Sequence, residues 1–418
     1  MTESRRVPFT RIRVHLDEPV LDDVGAATDR TLTASGVTID AGARVAITVG
    51  SRGIRDLVTV VERVAAWVRS QGGEAFLVPA MGSHGGATAD GQRDVLLSYG
   101  LDAPAIGCPI VSSMAVVELD RGNCPVPVWT DASAHGADAT IVVNRVKPHT
   151  DFHGPYESGI MKMAAIGLGK QVQAEALHAY GVRGLRDMMP LVARQVLAHG
   201  NIVLGVAIVE NALDRTMLVE AIPAPAIADR ELTLLDLART HSPSLPVDEI
   251  DVLLIDRMGK DISGVGMDTN VIGRILISGQ DDPPTPRVNM IACHALTPAS
   301  HGNATGMGLA DVVTRSLADD IDHDVTRTNI VTSGFLLRGK LPVVAEDDRQ
   351  AWELCLRGAG VVDVSSVRAA RIADTLHCAD LWVSDAVLTG LRSDPRVEVV
   401  ATGLALHQDD GRLTPFDA

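Results

Sequence analysis

Two histidines sit where acid–base chemistry is easy to arrange. His84 lies in MGSHGGAT and His149 in RVKPHTDFHG, and each follows an apolar run that reads as a β-strand. Gly82, Gly85 and Gly86 let the backbone around His84 approach a ligand closely. Imidazoles titrate near pH 7, so two of them suit proton transfer on the opposite faces of one carbon centre. Lys162 is a third candidate, set among Met161, Met163, Ala164, Ala165 and Ile166. A charged ammonium is costly in such surroundings. The lysine then becomes a neutral nucleophile or carries a covalent bond that removes the charge, unless it snorkels to solvent. His178 comes sixteen positions later. One continuous helix would hold the two roughly 24 Å apart, but Gly167 and Gly169 can break the chain between them and fold it back.

The same stretch invites a nucleotide reading that fails. In GLGKQ a phosphate-binding loop would need a glycine at Ala164 and a serine or threonine at Gln171. GVGMDTN lacks the third glycine of a dinucleotide fingerprint. Glycine-edged turns such as Gly167–Gly169 can still cradle a single phosphate through backbone N–H groups, which makes both glycines candidate cofactor contacts.

The elements that must position these residues are α/β in rhythm. Ala43–Val49, Ala75–Val78, Ala139–Asn144 and Ile202–Asn211 read as strands, and Leu57–Val68 as an amphipathic helix. Proline-punctuated helix and loop occupy the region from Pro223 to Pro246. Strand character returns at Ile250–Asp256 and in NMIACHAL, with helices expected over Leu309–Leu317 and Arg349–Arg357. The tail from Val397 adds one more strand able to pair with either sheet. These patterns predict two α/β domains with mostly parallel sheets. One spans 1–245, with 395–418 available to complete it, and the other spans 246–394. Ligands in such folds sit beyond the carboxyl ends of the strands. The glycines, histidines and cations that follow the strands of both halves therefore predict an active site in the cleft between the domains.

The chain has 418 residues, with 46% hydrophobic, 22% charged and only 3% aromatic, as expected for cores built from Ala, Val, Leu and Ile. A net charge of -16 argues against nucleic acid as a partner. Five scattered cysteines without CxxC spacing read as small buried hydrophobes. No apolar leader or membrane span is evident, so a cytoplasmic location is expected.

Taken together, GSRG, the GSHGGA loop, RVKPH and the Lys162/His178 pair resemble the LarA-type lactate racemase family, most strongly from Arg52 to Tyr180. That resemblance implies an isomerase, a racemase or epimerase that inverts C2 of a 2-hydroxy acid by reversible hydride transfer to a nickel pincer nucleotide. It implies covalent attachment of this pyridinium mononucleotide at Lys162, nickel ligation by His178, catalytic acid–base roles for His84 and His149, and a substrate-carboxylate grip by Arg52. Soft sulfur, carbon and imidazole donors suit a square-planar nickel, and the planar arginine fork suits a carboxylate. Cofactor-synthesis enzymes are the implied partners, and a homo-oligomer is compatible with the family. The region GKDISGVGMDTNVIGR departs from the lactate enzymes and offers Lys260, Asp268, Asn270 and Arg274; of these, Lys260, Asn270 and Arg274 are expected to bind substrate. His153, Tyr156 and Glu157 are further polar additions, so the expected substrate is not lactate but a larger or more polar acid, such as a dicarboxylate or sugar acid. His301, Asn303 and Asp311 either line the cleft or belong to a glycine-rich turn. Two other readings stay open: a hydrolase or lyase using a simple divalent metal on His149, His153 and a carboxylate, and a non-catalytic carrier of the nickel cofactor.

Overall fold

The structure, a computed structural model, describes residues 7–51 and 53–417. The chain divides into two compact units, one formed by Glu18–Ser242 and the other by the chain up to Asp17 together with everything from Pro243 onward. The first strand, β1 (Pro8–Val14), belongs to the second unit although the sequence division places it in the first domain. Its Phe9 and Ile12 are fully buried there.

Glu18–Ser242 is built on a five-stranded sheet. Its strands are β2 (Arg44–Val49), β3 (Glu74–Pro79), β6 (Ala139–Arg145), β7 (Ile202–Glu210) and β8 (Thr216–Pro223), in the order β3-β2-β6-β7-β8. The first four are parallel, and β8 returns antiparallel to β7. A small antiparallel pair, β4 (Val116–Leu119) and β5 (Val128–Asp131), packs beside it. Both faces of the large sheet are covered, which is why its strands are continuous apolar runs rather than alternating ones. Val45, Ile47 and Val49 point into one core with the helix Leu57–Ser70. Ala46, Val142 and Ala207 point into the opposite core with Ile160–His178, Met189–His199 and Ile227–Thr240.

The other unit carries an eight-stranded sheet: β1, β9 (Glu249–Met258), β10 (Arg287–Leu296), β11 (Val312–Thr314), β12 (Val343–Ala345), β13 (Ala369–Ile372), β14 (Asp380–Ser384) and β15 (Val397–Ala405). The order is β12-β11-β10-β9-β13-β14-β1-β15. The five strands β12 to β13 are parallel, and β14, β1 and β15 extend the sheet antiparallel. The tail strand thus pairs with the N-terminal strand at this sheet's edge. The architecture is α/β with mostly parallel sheets, as the βα rhythm predicts.

One expected helix is corrected. Leu309–Leu317 is not a continuous helix: it holds the end of a short 3₁₀ turn, the strand β11 and the start of the helix Arg315–Asp319. Buried β-branched Val312 and Val313 pair with Ala292 and Cys293 of β10, and this burial outweighs the local helical spacing. All five cysteines are free and buried, as expected. Among the described residues no helix is long and apolar enough to cross a membrane.

Candidate functional site

The carboxyl ends of β2, β3 and β6 converge on one segment, Ile160–Gly167. It begins as a turn of α-helix over Ile160–Lys162 and widens into a π-helical turn over Met163–Gly167 before the helix Lys170–His178 starts. Gly50, after β2, lies so close that an added Cβ would come 2.8 Å from Met163 Cε. Gly82, after β3, donates its N–H to Gly167 O at 3.3 Å and holds φ +60°, a left-handed conformation that favours glycine. Asn144, near the end of β6, donates from Nδ2 to Gly159 O at 2.8 Å. Gly167 and Gly169 are fully enclosed by protein. An added Cβ on Gly167 would meet Met163 Sδ at 2.5 Å and Ala80 O at 2.7 Å, and one on Gly169 would meet Ala165 O at 2.5 Å. The packing of the turn thus requires both glycines.

The helical run ends at Gly169 and Lys170 takes φ +54° at the start of the next helix, so that Lys162 meets His149 and its charge reaches His178. Lys162, half-buried, places Nζ 2.5 Å from His149 Nε2. His149 Nδ1 accepts the Asp151 N–H at 3.0 Å. The ring also packs against Phe152 with centroids 4.7 Å apart. His178 keeps an exposed face, yet its pKa is lowered. The protein packed around the ring is the main cause, the positive charge of Lys162 adds to it, and Asp151 opposes both.

The loop carrying His149 is pinned at its base by Lys147 and Ser158, which exchange backbone hydrogen bonds of 2.9 and 3.2 Å. Inside it, the buried Glu157 accepts the His149 N–H at 2.6 Å, pairs with Arg239 at 2.7 Å, and faces His153 Nδ1 at 3.3 Å. Burial alone would raise the Glu157 pKa, but His153, the His149 N–H and Arg239 together hold it below the usual value. Among the described residues no group of three or more His, Cys, Asp or Glu is placed to hold a metal ion by itself. His84 is exposed on its glycine loop, and its Nδ1 is hydrogen-bonded to Ser51 Oγ at the end of β2. Arg52 lies outside the described residues.

Beneath Lys162 lies Glu231, 1% exposed, whose Oε2 accepts the Met161 N–H at 3.0 Å. Its Oε1 has no hydrogen-bond partner among the described residues. Burial raises its pKa to about 7 against the opposing effect of the Met161 and Ile160 N–H groups. Gly159 leaves the room for it, since an added Cβ would run into Oε1. The signal for Glu231 was present in the sequence. It occupies the apolar stripe Ile227, Glu231, Leu234, Leu235 and Ala238, where a carboxylate has no reason to be unless something inside needs it. Ser51 and Asp151 carry no comparable signal.

In the second unit, Lys260 follows β9 and donates from Nζ to Gly264 O at 2.7 Å, and its N–H bonds Ser300 Oγ at 2.9 Å. Asn270 opens a short helix capped by Asp268, bonding Asp268 Oδ1 through its backbone N–H and through Nδ2 at 2.9 and 3.0 Å. Arg274 is not with them. Its guanidinium bonds Asp311 at 2.9 Å together with the carbonyls of Leu309, Val288 and Asn289, at the amino end of β10. Asp311 belongs to that pair, and Asn303 Oδ1 accepts from Thr305 Oγ1 at 2.7 Å. His301 holds φ +47° at the end of the turn Pro298–Ser300.

No protein-family model and no curated protein sequence matches the chain. Solved structures do. A Thermotoga maritima protein determined by a structural genomics consortium covers 67% of this chain and 72% of its own, at 11% identity and a TM-score of 0.46. The lactate racemase apoprotein of Thermoanaerobacterium thermosaccharolyticum matches over 88% of this chain and 99% of its own, at 11% identity and a TM-score of 0.52. At that coverage and TM-score the second likeness shows the fold: the chain is folded as this lactate racemase is.

Proposed function

We propose that the chain is a racemase or epimerase inverting C2 of a 2-hydroxy acid. His84 and His149 form its acid–base pair, Lys162 is the attachment point of a nickel pincer nucleotide, and His178 is the protein's nickel ligand. The observation that carries this reading is the contact of Lys162 Nζ with His149 Nε2 beside His178. It supports an amine held against one imidazole and near a second, His178, whose lowered pKa favours the neutral, ligating form. An amine beside an unprotonated imidazole is a donor set that fits such a group.

When bound, the cofactor supplies an acceptor that takes the C2 hydride and returns it. This chain's residues do the rest. His149, oriented by Asp151, Phe152 and the Glu157 bond to its own N–H, holds or takes the hydroxyl proton from one side. His84, set against Ser51, does so from the other. Each histidine alternates between base and acid, so no net proton is consumed. Arg52, next in sequence to Ser51, receives the substrate carboxylate. Of the polar additions, Tyr156 and Glu157 are buried against Arg194 and Arg239, and the part-exposed His153 is the one that favours an acid larger or more polar than lactate.

The test is intact-mass spectrometry with nickel analysis on protein made together with the cofactor-synthesis enzymes, followed by chiral assay on a panel of 2-hydroxy acids. The wild-type chain is expected to carry a mononucleotide-sized adduct with nickel and to racemise one member of the panel, and Lys162→Ala to lose the adduct. An unmodified wild-type mass, with cofactor synthesis verified on a known lactate racemase, would rule the proposal out. An adduct in a protein that tolerates loss of both His84 and His149 would favour a cofactor carrier.

A further inference from the structure

Lys170, the lysine of the failed GLGKQ motif, is fully buried and has φ +54°, a left-handed conformation that side chains other than glycine seldom adopt. The twist turns its side chain inward. There Nζ meets Asp131 Oδ2 at 3.0 Å, Gln92 Oε1 at 3.2 Å and the carbonyl of Pro79 at the end of β3. Two hydrogen bonds, to Gln92 and Pro79, and the ion pair with Asp131 hold the ammonium in place. Burial lowers the Lys170 pKa, and the Asp131 charge opposes this.

Gln92 is the second part of the arrangement. It is also fully buried, and its Nε2 donates to Gly82 O at 2.8 Å and to His84 O at 3.2 Å. One amide therefore grips the backbone of the His84 loop at two points, while its oxygen is held by Lys170. Lys170 in turn is the first residue of the helix that ends at His178.

We propose that Lys170 and Gln92 are positioning residues: one buried cation, relayed through one amide, locks the His84 loop to the helix that carries His178. The assignment of His84 as an acid–base group rests on the function proposed above, whereas the mechanical coupling stands on the contacts alone. Buried polar groups left without partners cost far more than they contribute when paired, so each link of the relay holds the next. The loop is pliant by composition, since Gly82, Gly85 and Gly86 all have positive φ and the His84 side chain is exposed, and the relay supplies a rigid anchor from below.

The first experiment is amide hydrogen exchange read by mass spectrometry on the full-length protein without cofactor, comparing wild type with Gln92→Leu. Exchange over Met81–Thr88 is expected to accelerate about ten- to hundredfold, the equivalent of one or two lost buried hydrogen bonds. Exchange over the helix Leu57–Ser70 should stay within about twofold. Lys170→Met alone leaves the Asp131 charge buried and endangers folding. The companion variant is therefore Lys170→Met with Asp131→Asn, which retains the Asp131 cap on the Ala134 N–H. It should loosen both Met81–Thr88 and Lys170–His178. In loaded enzyme, Gln92→Leu should lower kcat about tenfold or more with KM within about twofold. An unaltered loop, a uniform rise in exchange over the whole chain, or a loosened loop with unchanged kcat would each overturn the proposal. A wild type that racemises no 2-hydroxy acid counts against the proposed function and not against the coupling, which exchange reads independently.

Discussion

Replacing His84 by alanine is expected to lower racemisation in both directions by about 10²- to 10⁴-fold, the usual contribution of a positioned acid–base group. Nickel and mononucleotide content should not change. The separation is expected because His84 sits on the β3 loop, bonded to Ser51, whereas the attachment and ligation roles are assigned to the segment Lys162–His178. Chiral chromatography of the product, beside metal analysis of the same sample, checks both halves. Activity within about threefold of wild type would remove His84 from the mechanism. His149→Ala should lose as much activity but behave differently in loading, since it also removes the group in contact with Lys162 Nζ. Ser51→Ala should cost less than either, because the hydroxyl orients the His84 ring and is assigned no proton transfer of its own.

A second large effect concerns Glu231 and shows in stability. Its pKa is raised from 4.5 to about 7, chiefly by burial. Between those values the folded protein holds a proton that the unfolded chain has released. Stability therefore falls as pH rises through this window, since it rises with pH only where the unfolded state binds more protons. Each pH unit between the unfolded and folded values is worth about 1.4 kcal/mol, so the loss is on the order of 3 kcal/mol by pH 8. Glu231→Gln cannot ionise. Relative to wild type it is expected to gain stability steadily from pH 5 to pH 8, measured by urea unfolding at each pH. Parallel curves for the two proteins would show that Glu231 is not the responsible group. The site shares the consequence: the same carboxylate holds the Met161 N–H immediately before Lys162, so the helix turn carrying the lysine rests on a group that titrates near neutrality.

Much of this was legible in the residues. The strands over Arg44–Val49, Glu74–Pro79, Ala139–Arg145 and Ile202–Glu210 appear where uninterrupted apolar runs predict them, because a parallel strand buried on both faces has no use for polar alternation. Short parallel strands such as Ala369–Ile372 and Val343–Ala345 give too few residues to show a run. Thr216–Pro223 and Pro8–Val14 mix polar with apolar residues and pair antiparallel, and Val312–Thr314 is too short to set its own period. The histidine-bearing loops were visible from their glycines. Gln92 and Glu231 each occupy a buried position on an otherwise apolar helix face, whereas Lys170 shares its buried face with Gln173 and no local pattern marks it.

By itself, then, the sequence determined the α/β class, the strand ends on which His84 and His149 would lie, and the apolar setting of Lys162, since each follows from local periodicity and composition. Tertiary structure decided what touches what. The sixteen residues from Lys162 to His178 suit a helix that would part them, and the π-helical turn over Met163–Gly167, packed against the loops after β2 and β3, together with the left-handed Lys170 interrupts that helix so that Lys162 acts on both His149 and His178. That turn is held by groups distant in the chain, Glu231 below it and the Asp131–Lys170–Gln92 relay beside it. Their energies come from desolvation and from partners far away in sequence, and no local pattern encodes either.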